Sequence, residues 1–189
     1  MKRIIYIPFD HLHRKFGALK DADPKTDLIA FVESARMTAG RNWHPERLFF
    51  LISSARHFAK SLEDEGFTVE YVKAATTVDG LKTIQKKHKA LPITCAEPSS
   101  FRQYDQLKEF GVTFLPNDFF LTPRDLFTQW AEGQKSFLME NFYRAQRIRL
   151  GIMVEGNKPT GGAWNFDKEN RLPPPKKYEG PAYLEHKRD

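Results

Sequence analysis

Short apolar runs alternate with amphipathic stretches through the first two-thirds of the chain, and few folds accept that pattern. The runs are Arg3–Ile7, Asp27–Glu33, Leu48–Ile52, Thr68–Val72, Pro92–Ala96 and Val112–Leu115. Several are apolar without interruption, Leu48-Phe49-Phe50-Leu51-Ile52 above all. Unbroken apolar strands belong in a parallel sheet covered on both faces. Between them, Ala55, Phe58, Ala59 and Leu62 recur at helical spacing, and Gly66 supplies a stop. Val78 to Lys89 repeats the pattern with Leu81 and Ile84, and a third helix is expected from Ser100 to Phe110, closed by Gly111. Strands joined through helices imply right-handed crossovers. The fold class expected is therefore α/β: a doubly wound, mainly parallel sheet of five to six strands, Rossmann-like, with a helical extension towards the C-terminus.

After the sheet the period changes. Thr122 caps a predicted helix with Pro123 at its first position, and Leu126, Phe127, Trp130 and Ala131 form its buried face. A longer helix is expected from Ser136 to Met153, with Glu140 placed to pair with Arg144 one turn on. Three prolines at Pro173–Pro175 favour an extended linker.

Composition narrows the function classes. The 189 residues include 16 Phe, ample material for a core. No apolar run approaches the roughly 20 residues of a membrane helix. The apolar run after Met1-Lys2-Arg3 is too short for a secretory signal, so a cytoplasmic protein without membrane contact is expected. The single cysteine, Cys95, allows no internal disulfide and no cysteine-based zinc or iron–sulfur site within this chain. It reads as a small buried hydrophobe. Net charge is +6, mild enough that a solvated surface explains it as well as an anionic partner does.

In a doubly wound sheet, ligands bind beyond the carboxyl ends of the strands. Phe9, Asp10, His11 and Leu12 follow the first predicted strand, Glu33 ends the second, and Ser53 and Ser54 follow the third and are expected to open a helix. Asp10 and Glu33 offer acceptors to a ring or ribityl group, and Phe9 or His11 offers a stacking face. The plainer alternative makes Asp10 and His11 turn residues and Glu33 a surface carboxylate. His11 and His13 lack a third metal ligand nearby and read as solvated loop residues, and Arg56 and His57 point in different directions from one helix. No G-x-G-x-x-G follows the first strand, and no Walker motif, H-E-x-x-H, C-x-x-C or G-x-S-x-G occurs. That argues against an ordinary dinucleotide enzyme, a P-loop enzyme or a nucleophile-elbow hydrolase.

Two late segments stand out: Met139-Glu140-Asn141-Phe142-Tyr143-Arg144 at the start of the long helix, and Gly161-Gly162-Ala163-Trp164-Asn165-Phe166-Asp167 with Glu169-Asn170-Arg171, which has neither the strand nor the helix period. With Arg56–Ala59 and Ala96–Pro98, these motifs resemble the deoxyribodipyrimidine photolyase-related proteins, the bacterial iron–sulfur cryptochrome and photolyase group. The resemblance covers essentially the whole chain. It implies an N-terminal antenna domain at 1–133, a helix and interdomain connector at 134–171, and a Pro-rich linker at 172–189. In that family the antenna is a ribityl lumazine, and FAD and a four-cysteine cluster sit on a following helical domain, expected to lie outside this chain. Damaged DNA would be the partner of the whole protein, and light-driven electron transfer from reduced flavin its chemistry.

The family's antenna motif is Gly-Asp-Gln-Leu, whereas this chain reads Phe9-Asp10-His11-Leu12. The resemblance also places Glu33, Leu51 and Ser53 around the antenna. Ala163 stands where relatives often carry Arg. The expected function is antenna-chromophore binding in a photolyase-like or cryptochrome-like flavoprotein. The alternatives are a scaffold or regulatory module whose pocket Phe9 closes, and a small nucleotide-binding α/β protein.

Overall fold

The computed structural model describes residues 1–167, 172–180 and 182. The chain divides into two compact units, Met1–Phe127 and Thr128–Asp189.

The first unit is built on five parallel strands, β1 (Arg3–Tyr6), β2 (Asp27–Ser34), β3 (Thr68–Ala74), β4 (Ile93–Ala96) and β5 (Thr113–Leu115), in the order β3-β2-β1-β4-β5. The order runs one way from β1 to β3 and the other way from β4 to β5. This is the doubly wound arrangement, and its reversal lies between β1 and β4. Five of the six apolar runs are strands. The sixth is not: Leu48–Ile52 lies inside a 20-residue helix.

The helices of this unit are α1 (Ala35–Ala39), α2 (Pro45–Asp64), α3 (Thr77–Lys87) and α4 (Phe101–Glu109). The start of α2 is set by His44, whose Nδ1 accepts from the Glu46 amide at 3.3 Å, and by Pro45 in the first turn. Once the helix begins there, the apolar run cannot be extended. Ala55, Ala59 and Leu62 face the sheet and continue the helical stripe, while Phe49 and Phe50 point away and are 75% and 68% exposed.

Two cores form, one on each face of the sheet. Ile5, Ile29 and Phe31 pack with Ala55, Ala59 and Leu62 of α2 on one face. Ile4, Leu28 and Ala30 pack with Leu81 and Ile84 of α3 and Leu107 of α4 on the other. Each fully buried Leu or Ile contributes about 1.5–3 kcal/mol. Cys95 belongs to the second core, where burial pushes its thiol pKa up, in keeping with a small packed hydrophobe. At the foot of the sheet Arg3 clamps Asp27 with two bonds of 3.1 and 3.0 Å, tying the starts of β1 and β2 together.

The division between the units falls within α5 (Arg124–Glu132). In the second unit, α6 (Met139–Leu150) is followed by a small hairpin of β6 (Val154–Glu155) and β7 (Lys158–Pro159). The helix ends on Gly151 at φ +66°, a left-handed cap that suits glycine. The pairing expected between Glu140 and Arg144 is present at 3.0 Å. Glu169-Asn170-Arg171 falls outside the described residues. No helix among the described residues is long and apolar enough to cross a membrane.

Candidate functional site

A cleft of about 870 Å3 opens at the carboxyl ends of β1 to β4. That position follows from the topology, because the connections leaving β1 and β4 run in opposite directions and part above the sheet. Tyr6, Pro8, Phe9 and Val32 make an apolar floor, with Leu51 of α2 and Val78 of α3 beside it. Phe9 tucks its ring largely into the α2-side core, 6.3 Å from that of Tyr71, so it lines the cleft without closing it. Tyr6 is almost fully buried; burial pushes its phenol pKa far up, and its oxygen accepts from Gln103 at 3.3 Å. Asp10 stands exposed on the turn after β1 and borders the same space.

The rim is cationic. Arg36, Arg41, Arg47, Lys82 and Arg102 all border the cleft, against two carboxylates, Asp10 and Glu109. Trp43 anchors this side: its indole N–H donates to the Met37 carbonyl at 3.0 Å, and the guanidinium groups of Arg47 and Arg41 lie 4.4 and 5.6 Å from its ring centre.

Of the residues singled out in the sequence, Phe9, Asp10 and Leu51 meet at the cleft. The others face elsewhere. Glu33 points to the α2 side of the sheet, where its carboxylate accepts from Arg56 at 2.8 Å and from the Tyr71 hydroxyl at 2.9 Å, with Lys73 at 3.6 Å. Burial opposes its charge, but these partners outweigh burial and hold its pKa low. The Tyr71 phenol is pushed up to about 12, by burial and then by the carboxylate it donates to. Arg56, exposed on α2, is the main partner of this half-buried carboxylate.

Ser53 does not open a helix. It sits in the middle of α2 with its hydroxyl donating to the Phe50 carbonyl at 3.2 Å. Leu12 packs against the α2-side core. His11 is not a solvated loop residue either. The turn that brings its amide to the Pro8 carbonyl at 2.9 Å folds the imidazole inward. The ring is 5% exposed, stacked 4.7 Å from Phe119, and neither nitrogen has a hydrogen-bond partner.

Sequence reasoning missed the cationic rim. Its members are scattered from Arg36 to Arg102, with no local signal. Only the strand order brings them together.

The late motifs form a site of their own in the second unit. Arg147 is buried, and its guanidinium donates to the carbonyls of Ile152 and Met153. Trp164 lies against both Arg147 and Arg144, 5.1 and 5.6 Å from its ring centre. A hollow of about 430 Å3 lies beside them, bordered by Tyr143, Thr160 and Asn165. The Gly161–Asp167 segment is thus fixed by arginine stacking on one indole, and the Asn165 side chain accepts from the Asp167 amide at 2.7 Å.

The model of one protein family, described as deoxyribodipyrimidine photo-lyase-related protein, matches residues 5–189. The chain belongs to that family. It is 31% identical over 185 residues to a (6-4) photolyase of Agrobacterium fabrum, covering 92% of this chain and 36% of that protein. It is 25% identical over 142 residues to an uncharacterised protein, R852, of Acanthamoeba polyphaga mimivirus, covering 69% of this chain and 72% of the other. The chain therefore spans about a third of the Agrobacterium photolyase. Flavin and chromophore cofactors are consistent with membership of this photolyase-related family.

Proposed function

We propose that the chain is the antenna-chromophore-binding part of a photolyase-like flavoprotein, and that the cleft above β1 to β4 holds the chromophore. The observation that carries this reading is the cleft itself. It opens at the reversal of strand order, has an apolar floor and places Asp10 at its border. A planar ring needs a flat apolar bed and a few polar groups at its edge. Tyr6, Pro8, Phe9 and Val32 supply the bed, and Asp10 and Gln103 supply the edge. The residues present fit a ribityl lumazine or a ring of similar size.

The bound chromophore would absorb light and pass its excitation to a flavin on a helical domain. The protein's task is to orient the ring and exclude water from it. Asp10 accepts from a ring or ribityl donor, and Phe9 and Leu51 pack on the ring. Glu33, His11, Leu12 and Ser53 support the surrounding backbone instead. The open cleft favours this reading over a scaffold whose pocket Phe9 closes. Light-driven repair of damaged DNA, with FAD and an iron–sulfur cluster, is our proposal for the whole protein; it draws on the family and on the photolyase name of the Agrobacterium relative.

Titrating the chain with ribityl lumazine and following ligand fluorescence tests the proposal. Saturable quenching is expected. Asp10→Asn, an exposed and fold-neutral change, should weaken binding about tenfold, the worth of one hydrogen bond to a charged group. No spectral change at saturating protein would sink chromophore binding.

A further inference from the structure

We infer that the ligand of this cleft is anionic: a planar heterocycle that carries a phosphate, of mononucleotide class. The inference rests on the chromophore reading above and adds the charge of the ligand. Its basis is where the charge of the first unit lies. Among residues Met1–Phe127 there are nineteen Lys and Arg against sixteen Asp and Glu. Five of those cations and two of those carboxylates border the cleft. The remainder of the unit holds fourteen of each sign and is balanced. The entire positive excess of the unit therefore surrounds one concave space.

The five cations are also uncommitted. Elsewhere in the unit Arg3, Arg14, Lys20, Arg56, Lys60, Lys73, Lys87 and Arg124 each lie within 4 Å of a carboxylate. Among the described residues, none of Arg36, Arg41, Arg47, Lys82 and Arg102 has such a carboxylate. Arg41 and Arg47 rest on Trp43, and Lys82 lies 5.9 Å from the centre of the Phe110 ring. Stacking of this kind orients a guanidinium while leaving its N–H donors unused.

Two further features favour an anion. The first turns of α3 and α4 open on the cleft through Thr76–Val78 and Ser100–Gln103, adding the partial positive charge of helix starts. The recess is concave with an apolar floor, which suits a small molecule better than a nucleic-acid strand drawn over a surface. The ring rests on the floor near Phe9. The phosphate meets the cations supplied by Arg36, Arg41 and Arg47, which lie on α1, the α1–α2 connection and α2. A neutral ribityl ring would leave that charge unanswered.

Matched ligand pairs test this directly: flavin mononucleotide against riboflavin, and ribityl lumazine 5′-phosphate against ribityl lumazine. Members of each pair differ only in the phosphate. Dissociation constants would be measured by ligand fluorescence at low and high salt. The variant R36Q/R41Q/R47Q alters only exposed side chains, and circular dichroism would check its fold. At low salt the phosphorylated member should bind at least about tenfold more tightly. That preference should shrink as salt screens the rim, and collapse in the triple variant. Equal affinity within both pairs overturns the anionic inference and leaves chromophore binding standing. Failure of all four ligands overturns both. A single-stranded oligonucleotide that binds through the same arginines and displaces the flavin nucleotide overturns the small-molecule assignment.

Discussion

At the scale of single residues, close contact and missing contact both have consequences. Gly80 lies on α3 where the helix meets the sheet. A Cβ built there would lie 2.4 Å from Val32 Cγ1, a β-branched side chain held in a buried strand. Neither backbone can move cheaply. Alanine would gain up to about 1 kcal/mol of helix propensity but overpack by about 1–3 kcal/mol or more. Gly80→Ala should therefore lower stability, read as a fall in the urea midpoint with unchanged slope. His11 makes the opposite point. Burial without a partner lowers its pKa from the ordinary 6.5, against the pull of Asp10 and Asp118. The unfolded chain then takes up a proton that the folded chain refuses. Stability from this residue is complete above about pH 6.5 and is lost as pH falls towards the depressed folded value. Chemical denaturation between pH 7 and pH 5 should show the loss, and His11→Phe, which preserves the stack on Phe119, should flatten it. The lowered carboxylates Asp27, Glu33, Glu70 and Asp118 act at more acid pH, so the two effects separate.

At the scale of elements, the sequence was readable where a run had one interpretation. Thr68–Ala74 follows Gly66 and Ile93–Ala96 lies between Pro92 and Pro98; both carry β-branched residues, and both are strands. Leu48–Ile52 was misleading because an unbroken apolar run has no period to measure. The deciding signal was upstream, in His44-Pro45-Glu46, which starts a helix too early for a strand to follow. At the cleft, Phe9 and Asp10 were legible because a strand end is a local feature. The rim was not, because its charges converge only through tertiary structure. The second unit offers an element-scale test. Arg147 holds the carbonyls that follow α6 and stacks on Trp164. Arg147→Ala removes both, taking the side-chain donor from the Ile152 carbonyl and leaving the Met153 carbonyl with the Thr160 amide alone, at about 1.5–3 kcal/mol. The expected result is a red-shifted tryptophan emission and faster amide exchange across Gly151–Thr160. Arg147→Lys, which lacks the planar fork, should rescue little of it.

At the scale of the whole molecule, function is divided between a framework and a border. The framework is two apolar cores across one sheet, and it uses paired charges: Arg3 with Asp27, Glu33 with Arg56, Glu70 with Lys87. The border of the cleft uses unpaired ones. Substitution in the framework should change stability and leave ligand affinity alone, whereas substitution at the border should do the reverse. Glu33→Gln and Arg47→Gln are the contrasting pair. The first should lower the thermal midpoint with ligand binding preserved, and the second should weaken the phosphorylated ligand with the midpoint held.

The sheet order has one more consequence. β3 is an outer strand of seven residues, and one side of its backbone has no neighbouring strand in the sheet. Such a strand is a template for aggregation, since a second chain can add to it by main-chain pairing alone. Lys73, exposed on this strand, would stand a hydrated charge beside the side chains of any strand that paired there. The residue that helps neutralise Glu33 from one direction thus also guards the molecule from its own copies.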